Sequence, residues 1–322
     1  MSIDIKNEVL DAEKKIRQHI RETPLEMSPY LSLLGTCRVY LKLENNQLTG
    51  SFKLRGAVNK FLSLSANERK GDVITASSGN HAAAFANVLD KFGGKGVIYL
   101  PENVAQAKVQ ALRLTGVKLK LYGDDCIKSE TLAKETAAKT GQVFVSPYSD
   151  LKIIGGQGTI GIELLRQIDK IDVVLVPVGG GGLISGIAGY LKTVDKNIEI
   201  IGCQPENSPV MQASIQAGKI IEMESKPSIA DGTAGGIDPD TITFDICRKF
   251  VDDFILVSED EIKEAIRFMI DKHQLLIEGA AALSIAAFIK EKQHFANKNV
   301  VLIVSGKKIS LDQLKAILLE GA

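Results

Sequence analysis

The sequence has no tryptophan, and aromatic residues make up only 5% of its 322 positions. The stacking platforms of single-strand nucleic-acid binders are therefore not expected. Charge of either sign is not in surplus, since 39 Lys and Arg balance 39 Asp and Glu. Neither a nucleic-acid-binding face nor a solvated acidic tail follows from such a balance. Cysteines are few and scattered: Cys37, Cys126, Cys203 and Cys247 form no C-x-x-C pair. That argues against a disulfide framework and a zinc site, and fits a reducing, cytoplasmic compartment. The first twenty residues are broken by Asp4, Lys6, Glu8, Asp11 and Glu13 and lack the apolar stretch of a secretory signal. One uncharged run, Val173 to Leu191, invites a membrane reading. Four glycines in its middle, preceded by Pro177-Val178, make it a buried strand, a turn and a helix instead.

What is present is a 45% hydrophobic chain, enough for a sizeable core. Short β-rich runs alternate with helix-patterned ones. The predicted strands are Val39–Leu43, Val73–Thr75, Val97–Leu100, Lys118–Tyr122, Val143–Val145, Val173–Val176, Glu199–Cys203, Phe254–Val257 and Val300–Val304. Most are continuous apolar runs, as in parallel sheets covered on both faces. The clearest helix opens at Ser258, where Ser258 and Glu261 spell a capping box and Ile262, Ile266, Met269 and Ile270 share a face. Such alternation predicts an α/β fold. With no repeat and no linker, a second domain is expected as an insertion.

Four segments carry chemistry. In Thr49-Gly50-Ser51-Phe52-Lys53-Leu54-Arg55-Gly56, Gly50 turns the chain and Ser51 is predicted to cap a helix beginning near Phe52. Lys53 would then sit at a positive helix end between apolar neighbours, where an amine sheds its proton more easily and can form a Schiff base. Most lysines are solvated surface residues, so spacing alone does not single it out. Gly179-Gly180-Gly181-Gly182 joins a strand to a helix, and successive N–H groups there suit a phosphate. Ile184 stands where a dinucleotide fingerprint needs its third glycine, and no Gly-Lys-Ser/Thr follows, so a monophosphate fits better than a nucleotide. Ser77-Ser78-Gly79-Asn80-His81 precedes a small-residue helix, Ala82–Leu89, and gathers groups suited to a carboxylate, though an ordinary capping turn reads the same way. Ser305, after the last strand, lies where ligand crevices open in doubly wound sheets.

Read in order, these segments resemble the fold-type II pyridoxal-phosphate (PLP) enzymes, the tryptophan synthase β-like fold, and most of all their serine/threonine dehydratase and serine racemase branch. S-F-K-L-R-G-A around Lys53, S-S-G-N-H at 77–81, G-Q-G-T-I at 156–160, G-G-G-G at 179–182, I-A-D-G at 229–232, Glu278 and Ser305 make up the match. The resemblance implies that Lys53 carries the cofactor and acts as base at the substrate Cα. Phe52 would pack on the cofactor ring, Asn80 bond its hydroxyl, and Gly179 to Gly182 hold its phosphate. Ser305 would face the ring nitrogen, with Gly232 and Glu278 alongside. Ser77, Ser78, Gly79, Asn80 and His81 would bind the substrate carboxylate, with Tyr148 nearby. A large PLP domain (1–71 plus 149–322) and a small inserted domain (72–148) that closes over substrate are implied, as is a homodimer or homotetramer. The implied reaction is elimination of the β-hydroxyl from a small hydroxy amino acid, giving a 2-oxo acid and ammonia.

Some positions depart from the branch. Ser78 supplies the hydroxyl that racemases use to protonate Cα from the face opposite the lysine, whereas Tyr148 follows the dehydratases. Racemisation, a specialised dehydratase (for 3-hydroxyaspartate, phenylserine or a hydroxyectoine-pathway intermediate) and a non-catalytic PLP-binding protein remain alternatives. Lys307-Lys308 replaces the usual Gly-Asn, and Gly279 the usual Pro. Gln204 and Val210 fall where relatives place a metal-binding acidic pair, so no Mg²⁺ or Ca²⁺ site is expected. The chain ends at Ala322, and no C-terminal allosteric domain is expected.

Overall fold

A computed structural model describes residues 4–104, 106–124 and 126–320. Nine strands occur among them: β1 Leu25–Met27, β2 Arg38–Lys42, β3 Asp72–Ala76, β4 Lys95–Leu100, β5 Lys118–Leu121, β6 Val173–Pro177, β7 Glu199–Pro205, β8 Asp253–Val257 and β9 Asn299–Ile303. They form a six-stranded sheet in the order β1-β2-β9-β6-β7-β8 and a three-stranded sheet β3-β4-β5. Apart from the antiparallel pair β1–β2, the ladders are parallel.

The continuous apolar strands are explained by two covered faces. Along β6, Val173 and Leu175 join one core with the helices Glu259–His273 and Gly279–Lys290, while Val174 and Val176 join another with Ile5–Ile16, Leu151–Gln167 and Gly182–Val194. Side chains alternate across the sheet, so both faces must be apolar. The smaller sheet is built the same way. Val73, Ile98 and Leu100 pack with the helices Lys53–Leu62 and Asn80–Phe92, and Ile74, Ala76 and Tyr99 pack on Ala133 and Ala137 of Cys126–Thr140.

The Ser258 capping box forms as the sequence predicts, and its helix ends at Gln274 in a left-handed conformation. Three expectations are corrected. Val143–Val145 is no strand but a single bridge, Ile74 to Phe144. The helix after the Ser77 turn opens at Asn80, two residues before Ala82. Ser51 does not cap the Lys53 helix: Phe52 holds the cap position in a helical conformation, and the Ser51 hydroxyl is buried without a partner. Ser51 instead bridges to Gly306, and Phe52 N–H donates to Ser305 O at 3.1 Å. The start of the lysine helix is thus fixed by pairing with a segment some 250 residues away, information that local sequence does not hold.

Candidate active site

The strand-to-helix turns of both sheets open into one cleft of about 980 Å³. Phe52, Lys53, Ser77 to His81, Tyr148, Gly179 to Gly182, Gly232, Glu278 and Ser305 all line it. Residues the sequence offered as four separate segments therefore meet in one place.

Lys53 is the first residue of its helix, and its Nζ donates to Pro147 O at 2.9 Å. The amine lies 5.1 Å from the centre of the Phe52 ring. Burial pulls its pKa from the ordinary 10.5 to about 8, against a weaker upward pull from Glu278. The amine that the sequence proposed as nucleophile thus gives up its proton far more readily than a solvated lysine, as Schiff-base chemistry needs.

Gly179 to Gly182 run from β6 into the helix Gly182–Val194. Gly181 has φ +84°, and a methyl on Gly180 would lie 2.5 Å from the Tyr148 ring, so neither position admits a side chain without rearrangement. Among the described residues, the N–H groups of Gly179, Gly180 and Gly181 have no protein acceptor. Three unpartnered donors beside a helix N-terminus form an anion cradle.

Across the cleft, Asn80 begins the helix Asn80–Phe92, so its N–H and that of His81 have no intrahelical acceptor. The Asn80 Nδ2 donates to both Glu278 carboxylate oxygens, at 2.7 and 2.9 Å. Its Oδ1 is buried without a partner. Glu278 also accepts from Lys308 N–H at 2.9 Å, and burial raises its pKa. His81 is buried; its Nε2 meets Thr75 Oγ1 at 3.0 Å, and that hydroxyl donates to Val145 O at 2.7 Å. Burial, then the nearby Lys53 charge, push its pKa down to about 3, so the ring is neutral. What His81 offers a carboxylate is its backbone N–H, not a cation. The Tyr148 phenol is likewise engaged: it accepts from Asp238 N–H at 2.8 Å while its ring covers Gly180.

Behind the cleft lies a cluster the sequence did not reveal. Arg55, Lys42, Glu44 and Glu163 are all fully buried. Arg55 donates to Glu44 at 2.8 Å and to Glu163 at 2.6 Å, and Lys42 reaches Glu163 at 2.5 Å. Pro147, Asp238 and Lys134 also went unnoticed, because their roles come from contacts about a hundred residues apart. The only cue was the proximity of Pro147 to Tyr148. At the positions compared with a metal site, Gln204 Oε1 accepts from Gln212 N–H at 2.9 Å, and no cluster of three or more His, Cys, Asp or Glu is placed to hold a metal among the described residues. No helix there is long and apolar enough to cross a membrane.

The site fits pyridoxal phosphate. A half-buried lysine with a lowered pKa faces an aromatic wall, an anion cradle of unpartnered N–H groups lies in the same cleft, and Asn80 Oδ1 lacks a partner. Comparison with known proteins agrees. The chain is 38% identical over 314 residues to the L-threonine ammonia-lyase of Thermotoga maritima, covering 98% of this chain and 78% of that protein. The processed form of threonine deaminase isoform 2 from Solanum lycopersicum superposes with a TM-score of 0.93 at 33% identity, covering 100% of this chain and 95% of that one. Maize serine racemase gives a TM-score of 0.90 at 31% identity, covering 98% and 97%. Residues 16–306 match the family described as pyridoxal-phosphate dependent enzyme, and the chain belongs to that family.

Proposed function

We propose that this enzyme is a dehydratase, an ammonia-lyase that removes the β-hydroxyl of a small hydroxy amino acid such as L-threonine or L-serine. The observation that carries this reading is the buried Lys53 amine, its proton held loosely, opposite the anion cradle. When bound, pyridoxal phosphate supplies an aldehyde for an amine and an electron sink for charge at Cα. Lys53 would hold the cofactor, the N–H groups of Gly179 to Gly182 its phosphate, Asn80 its ring hydroxyl, and Ser305 its ring nitrogen, with Phe52, Gly232 and Glu278 alongside. Ser77, Ser78, Gly79 and the helix-start N–H groups of Asn80 and His81 would hold the substrate carboxylate, with Tyr148 closing that side.

With the substrate amine in place, the free Lys53 amine would take the Cα proton. The Cα–H electron pair would form the Cα–Cβ double bond as the Cβ–O bond breaks, and the hydroxyl, taking up a proton equivalent to the one Lys53 removed, would leave as water. The released enamine gains a proton and is hydrolysed to a 2-oxo acid and ammonia. Incubation with L-threonine and L-serine tests the reading: 2-oxo acid should accumulate with ammonia in equal amounts, and no oxo acid from either, nor from a wider hydroxy amino acid panel, would refute it.

Ser78 favours a second reading. Its hydroxyl group lies in the same cleft as Lys53, a placement that suits proton return to Cα from the other face, as in racemisation; chiral chromatography of the recovered substrate separates the two. We also infer a homodimer or homotetramer in a cytoplasmic setting. Met27 on edge strand β1 and Tyr30 and Leu33 on the helix Pro29–Gly35 are exposed apolar residues suited to a subunit contact, and Cys37, Cys203 and Cys247 are free thiols. Light scattering on the eluting protein should give twice or four times 34.7 kDa.

A further inference from the structure

Residues 218–242 connect two helices without any helix or strand of their own. Structureless connections beyond about 15 residues are uncommon in compact domains and usually functional. This one lines the cleft with Asp231 to Gly236. It is gripped from the opposite side by two helices next to the smaller sheet. Lys108, on Gln106–Arg113, pairs with Asp231 at 3.2 Å. Lys134, on Cys126–Thr140, pairs with Asp238 and, at 3.0 Å, with Glu130 of its own helix.

The contacts of the loop on its other side lead straight to the anion cradle. Asp238 N–H donates to the Tyr148 phenol at 2.8 Å, and the Tyr148 ring lies on Gly180. Ile242 N–H donates to Ser149 Oγ at 3.3 Å, Thr243 Oγ1 donates to Gly180 O at 2.7 Å, and the Thr233 backbone packs against Gly179. One residue, Asp238, thus faces Lys134 with its carboxylate and Tyr148 with its peptide N–H.

We propose that Lys134 and Asp238 are a positioning pair: their contact fastens the 218–242 loop over the cleft and, through Tyr148, onto the glycine turn, so that the loop is held shut around cofactor and substrate. The inference rests on the cleft being the PLP site proposed above. Both side chains are partly exposed, Lys134 by 37% and Asp238 by 21%, so the pair adds little to global stability. Its effect is local, on the stretch around Asp238, since Lys226, Ile229 and Gly235 are tied separately to Asn207, Glu259 and Ser208, and it weakens as salt screens the charges.

The test is a double-mutant cycle on the holoenzyme with Lys134→Met, Asp238→Asn and the two combined, which separates the pair from the loss of the Glu130 contact. Each single variant should speed amide hydrogen exchange across 227–241 and raise KM for the amino acid, each by about fivefold, with kcat within about twofold and the melting temperature nearly unchanged. The combined variant should be no worse than the more affected single variant, and high salt should bring the wild type towards it. Additive effects, or exchange at wild-type rates in both single variants, would overturn the proposal. Exchange needs no turnover, so the pair is judged separately: a wild type that bound PLP but released no oxo acid would remove the dehydratase reading and leave the exchange result standing.

Discussion

Lys53 and Arg55 stand two residues apart on the same helix, both withdrawn from water, and the protein treats their charges in opposite ways. Arg55 is saturated: Glu44, Glu163, Thr159 and Thr23 take its guanidinium donors, and the two carboxylates raise its pKa although burial alone would lower it. Lys53 has a single carbonyl, that of Pro147, and burial prevails. A buried charge surrounded by partners is structural, whereas one left nearly bare in a cleft is poised to react. The contrast extends outward: the Arg55 side is closed by salt bridges, while the Lys53 side holds an unpartnered Asn80 Oδ1 and three free glycine N–H groups.

The sharpest way to break this comparison is to remove each charge in turn. Lys53→Ala should lower elimination by at least roughly a thousandfold, since base and cofactor tether go together, while the protein stays folded. It should also alter the pH dependence of stability. The folded amine titrates near 8 and the unfolded one near 10.5, so between those values the unfolded chain binds more protons and stability rises with pH. Denaturant titrations across that window should show the rise in the cofactor-free wild type and lose it in Lys53→Ala.

On the other side of the helix, Glu163→Gln leaves Arg55 and Lys42 short of a counter-charge and should lower unfolding free energy by about 3–5 kcal/mol. Glu163 titrates at about 2 because Arg55 and Lys42 outweigh its burial. Its contribution is complete above the ordinary 4.5 and fades as pH falls towards 2, so the wild type should lose stability through that acid window and the variant much less. A smaller effect is expected in the cradle. Gly180→Ala drives a methyl into the Tyr148 ring and should weaken PLP binding by about tenfold, measured by fluorescence titration, with the melting temperature of the cofactor-free protein lowered only modestly. Ser78→Ala should change elimination from L-substrate least, within about threefold, while abolishing any racemisation; loss of both would place Ser78 in the lyase step.

The difference between the two regions also explains what could be read from the sequence. Segments whose meaning is local were legible: the tetraglycine turn, the Ser258 capping box, and the apolar strands β6 and β9, whose two covered faces leave no alternation. Lys53 at a helix start was legible too, but its cause was misassigned to Ser51, because the β-bridge to Gly306 joins distant parts of the chain. β1 went unseen, being three residues long and following Pro24. The buried cluster was invisible for a different reason. Arg55, Glu44, Glu163 and Lys42 look like surface residues by type, and only their mutual contacts make burial tolerable. His81 was legible as a position and not as a role, since its ring is tied to Thr75.

The central claim is that the Lys53 ε-amine is the group that bonds the cofactor aldehyde. Borohydride reduction of the purified protein with pyridoxal phosphate, followed by peptide mapping, tests it directly. The account predicts a loss of visible absorbance and a single labelled peptide carrying the reduced adduct on Lys53; a label on another lysine, or a protein that never takes up colour, would contradict it.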